Sequence, residues 1–197
     1  TTLTGTAADL NTAYNSAGIT GLGNEDVTLS DTTLAASVLN TLDGKTTVAI
    51  NANNITTLTG AAADLNTAYA ANGSSITGLG NEAATLSDTT LAVSVLNTLD
   101  GNTSGTVNAN TVSTLSGAAA DLNTAYGSAG ISNLGDEDDT LTDTSLSASV
   151  LNTLDGHTTG TVDAGTVTTI SGSASDLITA YASGGISNLG DEAVSVS

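Results

Sequence analysis

Apolar positions along the chain follow two spacings, with polar turns between them. Residues 30–44 carry apolar side chains at helical spacing, which predicts a helix of about ten residues with one apolar face. Residues 47–50 and 55–58 are stretches of β type on either side of a polar turn. The pattern therefore predicts strand, turn, strand and helix in succession. The apolar face of this helix consists of Leu34, Val38, Leu39 and Leu42.

Capping residues mark the start of a second type of helix. Thr6 with Asp9, and Ser173 with Asp176, match the capping box, in which side chains satisfy the free N–H groups of the first turn. Two further copies of this segment carry Ala in place of the cap but keep the aspartate. That aspartate still places a negative charge in the first helical turn, where it is favourable.

The helix over residues 30–44 has different end signals. Ser30 or Asp31 is expected to cap its N-terminus. Gly44 follows its last apolar residue and predicts a left-handed stop at the C-terminus.

These segments recur along the whole chain. Two sequence motifs alternate along the chain, Asp-Leu-Asn-Thr-Ala-Tyr and Ser-Val-Leu-Asn-Thr-Leu-Asp-Gly. The pair repeats about every 55 residues, with an insertion at Ser74 and Ser75. The tyrosine-bearing half is type A and the other is type B. Such a repeat predicts a solenoid, because each unit buries its apolar face against its neighbours.

The predicted fold is an α/β solenoid of about seven coils, each of about 27–29 residues with two short strands and one short helix. We expect a prism-like coil with two short parallel strand stacks and a helical wall. A straight rod and a curved or twisted solenoid both remain open. The chain is treated as a single repeat array, residues 1–197, with approximate coils at 1–26, 27–54, 55–83, 84–111, 112–138, 139–166 and 167–193.

The composition fits a narrow interior. Phe, Trp, Met and Cys are absent, so Leu, Val, Ile, Ala and Thr must fill the core. The four tyrosines fall at one equivalent position per repeat, which favours a ladder covering the helix ends over an aromatic ligand platform.

The charge is strongly negative. One Lys, no Arg and 20 acidic residues give a net charge of −19, which excludes nucleic-acid backbones as partners. Such a surface repels itself unless cations screen it, which favours an extracellular or cell-surface location in a salty medium. No apolar run is long enough to insert into a membrane. Neither end carries a polar cap, so the expected partners are neighbouring repeats of a longer array or other copies of the chain.

The sequence offers no set of catalytic side chains. His157 is the only histidine, and its equivalents are Lys45 and Asn102, which indicates a solvent-facing loop tip. No serine or threonine has a histidine partner for nucleophilic catalysis. We therefore predict that the chain is not an enzyme.

The best candidate site is the acidic turn of each type A half, where Asn or Asp precedes a recurring glutamate. Calcium takes six to eight oxygen ligands of this kind, so a ladder of such turns could bind calcium between coils. The alternative is a solvated turn that is merely acidic. The candidate calcium ligands are Asn24, Glu25, Asp26, Asn81, Glu82, Asp136, Glu137, Asp138, Asp191 and Glu192.

The chain combines three repeated motifs: Thr-Leu-Ser/Thr-Gly, Ala-Asp-Leu-Asn-Thr-Ala-Tyr and Ser-Val-Leu-Asn-Thr-Leu-Asp-Gly. Together they resemble the long repetitive tracts of giant surface or secreted proteins of marine cyanobacteria and related bacteria. The resemblance covers the whole chain and implies a stalk, an adhesin shaft or a surface-layer (S-layer) component. The leading hypothesis is a structural extracellular repeat protein that forms a shaft, fibre, filament or surface layer. The alternatives are a calcium-dependent adhesive or glycan-binding module and a phage fibre shaft.

Overall fold

The computed structural model describes all 197 residues as an α/β protein in which strand-and-helix units repeat and every strand pair is parallel. The seven helices are α1 (Ala7–Tyr14), α2 (Ala36–Asp43), α3 (Ala62–Ala70), α4 (Val93–Asn102), α5 (Ala119–Gly127), α6 (Ala148–Asp155) and α7 (Ala174–Ala182). The strands are β1 (Thr2–Gly5), β2 (Asp26–Leu29), β3 (Thr33–Ala35), β4 (Ile50–Asn51), β5 (Thr57–Gly60), β6 (Ile76–Thr77), β7 (Ala83–Leu86), β8 (Thr90–Ala92), β9 (Val107–Asn108), β10 (Thr114–Gly117), β11 (Ile131–Ser132), β12 (Asp138–Leu141), β13 (Ser145–Ser147), β14 (Val162–Asp163), β15 (Thr169–Gly172), β16 (Ile186–Ser187) and β17 (Ala193–Val196).

The chain forms two compact units. The first contains Thr1–Ser87 and Thr98–Asn108, and the second contains Asp88–Asn97 and Ala109–Ser197.

The first unit contains a parallel sheet in the order β1-β2-β4-β6. A second set of parallel strands in this unit pairs β3 with β5, β5 with β7 and β7 with β9. Leu3 of β1 pairs with Val27 of β2. Ile50 of β4 pairs with Ile76 of β6, and this longer offset contains the insertion at Ser74 and Ser75. In both pairs the offset along the chain is shorter than the coil length that the sequence predicted.

The second unit repeats this arrangement. Its larger sheet has the order β16-β14-β12-β10-β8, and its smaller sheet has the order β13-β15-β17. Leu115 pairs with Asp139 at the same offset as Leu3 and Val27, and Asp139 pairs in turn with Val162.

Consecutive helices pack against one another within each unit, α1 on α2 and α2 on α3 in the first, α5 on α6 and α6 on α7 in the second. An asparagine in the middle of a helix donates its side-chain N–H to a backbone carbonyl of the next helix. In the first unit, Asn11 Nδ2 lies 3.1 Å from the Val38 oxygen, and Asn40 Nδ2 lies 3.0 Å from the Asp64 oxygen. Asn123 and Asn152 make the same bonds in the second unit. These bonds fix the register of one helix on the next.

The core of each unit consists mainly of Leu, Ile, Val and Ala, and buried threonines at positions 46, 103 and 158 also agree with the predicted composition. The apolar residues of the helices face it: Leu39 and Leu42 of α2 and Leu122 of α5 are fully buried. The helices have eight to ten residues. Helices this short are marginal alone, so this packing stabilises them.

Some local predictions are confirmed and others are wrong. The Thr6 and Ser173 side chains accept the N–H of Asp9 and Asp176, as the capping boxes predicted. The type B helix starts later than predicted, because Leu34 lies in β3 and α2 begins at Ala36 without a side-chain cap.

The predicted caps of this type B helix have another role or another geometry. Asp31 accepts the N–H of Ala7 at 2.8 Å and so caps the preceding helix, α1. Gly44 ends α2 with a φ of −71°, which is not the left-handed geometry that we predicted.

The count of two strands per coil is correct only for the type A coils after the first. Each of these has one strand before its helix and a two-residue strand after it. Each type B coil has two strands before its helix and one after, because the segment after the acidic turn forms a strand separate from the one that leads into the helix.

Candidate functional site: the buried glutamates of the acidic turns

The recurring glutamates of the acidic turns point into the protein. Glu82 and Glu137 are fully buried, and Glu25 and Glu192 are 6% and 9% exposed. The prediction of a solvated turn is therefore wrong for the glutamates themselves. Ionised side chains are rarely buried unless partners satisfy them, so the contacts of these carboxylates decide what the turns do.

Each glutamate folds back onto its own turn. Oε2 of Glu25 accepts the N–H of Gly23 at 2.7 Å and of Asn24 at 3.1 Å. Glu82 and Glu137 accept the equivalent pairs of N–H groups, and Glu192 accepts the N–H of Gly190. Charge-assisted bonds of this kind offset much of the cost of burying a carboxylate.

Glycine at the start of the turn makes this geometry accessible. Gly23 has a φ of +132°, and the equivalent Gly80, Gly135 and Gly190 have φ values of +122°, +135° and +153°. Side chains with a Cβ rarely adopt this backbone conformation, so the glycine lets its own N–H point at the glutamate.

The tyrosines at the helix ends complete three of the four sites. The hydroxyls of Tyr14, Tyr126 and Tyr181 donate to the glutamate 11 residues further on, at 3.1–3.3 Å. The buried hydroxyl of Tyr69 has no hydrogen-bond partner. Burial, followed by the charge of Glu82, raises the pKa of Tyr69 to about 12. Three of the tyrosines thus bind the glutamates of the turns, and the ladder covering the helix ends stays a prediction.

A buried threonine holds the backbone of the same turn. Oγ1 of Thr103 donates to the Glu82 carbonyl at 2.7 Å, and Oγ1 of Thr158 donates to the Glu137 carbonyl at 2.6 Å. Thr46 does the same for Glu25 at 3.3 Å. Each of these three glutamates is therefore fixed through both its side chain and its carbonyl.

At Glu25 these contacts favour the ionised carboxylate. The Gly23 N–H lowers the pKa of the Glu25 carboxyl, with the Tyr14 hydroxyl adding to the effect. Burial raises the pKa of the Tyr14 hydroxyl in turn. The pair therefore consists of a carboxylate and a neutral phenol, with no group prepared to exchange a proton near neutral pH.

The other predicted calcium ligands do not share the burial of the glutamates. They are exposed, whereas the glutamates are buried: Asn24, Asp26, Asn81, Asp136, Asp138 and Asp191. The structure contains no group of three or more His, Asp or Glu side chains that could hold a metal ion. Calcium binding stays a prediction without geometric support in these turns.

His157 lies on the surface, at the loop position that we predicted. Its ring also stacks on Tyr126, with centroids 5.6 Å apart and planes 10° from parallel. The sequence did not indicate this contact.

Asp139 is the residue of this region that the sequence reasoning missed. It is 1% exposed and lies at a position where the equivalent turns have Val27, Ala84 and Val194. Both oxygens of Asp139 lie 3.2 Å from the Tyr126 hydroxyl. An alignment of the four turns would have identified it, because a charge there replaces an apolar residue.

Comparison of the chain with protein-family models, with curated proteins and with solved structures finds no match. None of the seven helices has the length and apolar character needed to cross a membrane.

Proposed function

We propose that the chain is a segment of an extracellular α/β solenoid that serves as a shaft, fibre or surface-layer component. The observation that carries this proposal is the recurrence of one set of contacts along each unit. Strands pair in parallel at near-constant offsets along the chain, and helices join through asparagine side chains. Contacts that recur in this way let an array grow by adding units, which is what a spacer requires.

The acidic turns fit this role as structural supports. Each carboxylate is taken up by the N–H groups of its own turn, and in three copies also by a tyrosine. The four near-equivalent sites have no free nucleophile or base, which suits a structural turn repeated along the chain better than a catalytic site. We therefore assign the chain no enzymatic activity.

The surface charge supports a location outside the cell. A net charge of −19 with a single lysine keeps the chain soluble and repels other acidic chains until salt screens the repulsion. One lysine and no arginine also leave trypsin-like proteases almost no cleavage site, which suits an exposed fibre.

Small-angle X-ray scattering and negative-stain microscopy of the purified chain test the proposal. Seven coils at strand or helix spacing give a particle very roughly 35–70 Å long along the array. A radius of gyration clearly above the roughly 16 Å of a compact domain of 197 residues, or longer filaments built from the chain, is the expected result. A compact globule would refute the solenoid, and a trimer by light scattering would favour a fibre shaft of the phage type.

A further inference from the structure

Ile178 departs from the repeat at the position that joins one helix to the next. The equivalent residue of the three earlier type A helices is asparagine: Asn11, Asn66 and Asn123. Asn11 and Asn123 are partly buried and donate their side-chain N–H to a backbone carbonyl of the next helix. Ile178 in α7 is 69% exposed and has no N–H on its side chain. α7 therefore lacks the polar group through which α1 and α5 bind the helices that follow them.

Three more apolar side chains of the same coil are exposed: Tyr181, Val194 and Val196. Val194 and Val196 lie in β17 and are 51% and 67% exposed. The residues at their equivalent positions in the other three type A coils are all buried. We call Ile178, Tyr181, Val194 and Val196 the end face.

The equivalents of these residues in the first coil all contact the type B coil that follows. Asn11 bonds to a carbonyl of α2, and Val27 pairs with a residue of β4, the strand after α2. Tyr14 interacts with Thr46, which lies between α2 and β4. The repeat places the corresponding residues of the coil of α7 in the same way, so the end face is one continuous surface.

β17 is also the edge strand of its sheet, which has the order β13-β15-β17. At the position equivalent to Val194, Ala84 and Asp139 donate their backbone N–H to carbonyls of the next coil, those of Thr106 and Thr161. No strand lies on that side of β17. An edge strand with apolar side chains is a template for pairing with another chain. The end face therefore offers backbone groups as well as apolar side chains.

The chemistry of the end face favours another copy of the same face as its partner. A following type B helix, or α1 of a second copy, would place a backbone carbonyl opposite Ile178, as Val38 and Asp64 do for the asparagines of the helices before them. Ile178 has no N–H to donate to it. Charge pairing is unsuitable, because Lys45 is the only Lys and Arg is absent. Outside the end face, Ile19 is the one exposed large apolar side chain, so the end face best matches itself.

We propose that two copies of the chain bind each other through their end faces, with Ile178 of each copy against Ile178 of the other. The same patch contacts itself in such a two-fold contact, so the assembly closes at two copies. α7 packs on α7 of the second copy, and the two β17 edges meet. The contact rests on the proposed solenoid function, since it uses the face on which coils stack, and it adds a partner: two arrays are joined end to end.

The size and the charge of the contact determine its strength. The four exposed side chains supply on the order of 400 Å² per copy, about half of what a standard interface buries on each partner. We therefore expect a weak dimer that dissociates on dilution. Each copy carries a net charge of −19, so the copies repel each other at low salt. Added NaCl should screen this repulsion and strengthen the dimer.

Sedimentation velocity over a range of protein and NaCl concentrations tests the proposal, in EDTA so that no divalent cation bridges the acidic chains. Ile178→Asn introduces the residue of the other type A helices and should leave the Tm unchanged, because the side chain is exposed. It should raise the dissociation constant by on the order of 100-fold, since two isoleucines leave the contact. Ile19→Asn is the matched control, because it makes the same change at an exposed isoleucine outside the end face, and it should dimerise like the parent.

An introduced thiol distinguishes the two-fold contact from a head-to-tail one. The chain has no cysteine, so Ile178→Cys places a single thiol in each copy. Two such thiols meet only if the same residue of both copies lies at the contact. Ile178→Cys should therefore form a disulfide-linked dimer on mild oxidation, and Ile19→Cys should link far more slowly. Equal rates of linkage in the two variants would contradict the two-fold contact.

A parent that stays monomeric at high salt and high concentration would overturn the proposal, as would an Ile178→Asn variant that dimerises like the parent. Filaments, or a dimer that forms only when calcium replaces EDTA, would also overturn it, because the first needs a head-to-tail contact and the second a bridging cation. The radius of gyration of the Ile178→Asn monomer tests the shaft separately. An extended monomer would support the shaft even where the contact fails, and a compact one would refute the shaft.

Discussion

Replacing Glu82 tests whether the acidic turns are held by their glutamates. Glu82 is fully buried and accepts the N–H groups of Gly80 at 2.7 Å and Asn81 at 3.2 Å. Glu82→Ala leaves both donors without this acceptor and opens a cavity beside Tyr69. Glu82→Gln keeps an oxygen acceptor of similar shape and removes only the charge.

The expected losses follow from these bonds. Each N–H that loses its acceptor costs about 1 kcal/mol at the low end, appropriate here because both residues can reach water, and the lost packing adds about 1 kcal/mol. Glu82→Ala should therefore destabilise by about 3 kcal/mol. Glu82→Gln should cost about 1 kcal/mol, since bonds to a charged acceptor are roughly twice as strong as neutral ones. For a chain of this size these losses correspond to about 6–12 °C and about 2–4 °C in Tm.

Circular dichroism and hydrogen exchange over residues 78–86 provide the assay, at pH 7.5 in EDTA and again in calcium. Asp26→Asn is the matched control for the measurement in EDTA, because Asp26 is exposed and the substitution changes the net charge by the same amount as Glu82→Gln. The control should stay within about 0.5 kcal/mol of the parent. If Glu82→Ala is no more destabilised than Asp26→Asn, the glutamate does not support the turn. If the losses at Glu82 appear only in calcium, the turn is a calcium site and the structural interpretation is wrong.

Two further substitutions have internal controls. Gly160→Ala places a Cβ against the carbonyl oxygen of Glu137 and should cost about 2 kcal/mol in thermal unfolding, whereas Gly127→Ala, with open space around it and Ala in two equivalent positions, should cost nothing. If both substitutions changed the stability equally, the space between Gly160 and the Glu137 carbonyl would be large enough for a Cβ. Asp31→Ala removes the acceptor of the Ala7 N–H, while Thr6 still accepts the N–H of Asp9, and should cost about 1 kcal/mol; Asp31→Asn keeps an acceptor oxygen and should cost less. Exchange of the α1 amides reports on that helix end, and no change there would argue against the cap.

Much of the fold could be predicted from local signals in the repeated segments. The Thr6 and Ser173 caps are local signals, since the side chain and the N–H that it accepts lie three residues apart. The apolar spacing also predicted Leu39 and Leu42 as core residues of α2. The error at Leu34 arose because its distance to Val38 fits a helix as well as a strand followed by a helix.

The structure of the candidate site was harder to predict from the sequence than the fold, for physical reasons. Glutamates in polar turns are normally exposed, and neither the calcium ladder nor the solvated turn predicted that Glu82 and Glu137 accept the N–H groups of their own turns. Their burial depends on a backbone conformation at Gly80 and Gly135 that brings N–H groups onto the carboxylate. Asp31 shows the same limit, because the N–H that it caps in α1 belongs to a residue far from it along the chain. Contacts between residues this far apart depend on the register of the strand pairing, which local sequence patterns do not specify.

The insertion at Ser74 and Ser75 tests how that register is set. Thr57 pairs with Ala83 across the insertion, and the equivalent Thr114 pairs with Asp138 at an offset that is shorter by the two inserted residues. The sheet therefore keeps its pairing and the loop after α3 absorbs the insertion. Deleting both serines gives this loop the length found in the other type A halves. The deletion also removes the bond of 3.0 Å from Ser75 to Asp43.

The deletion also removes an exposed bond from Ser74 to the Ala71 carbonyl, and Gly73 should take over the Ile50 N–H from Ser75, as Gly185 does for Val162. We expect a cost of about 1 kcal/mol, the value of the part-buried bond from Ser75, and unchanged exchange protection in β5 and β7. Deleting Ala129 and Gly130 is the matched control, because it shortens a loop that already has the standard length. It should lower the Tm far more, since β11 can then keep its position only by unwinding the end of α5. Similar losses for the two deletions would mean that the loops and not the strand pairing set the register.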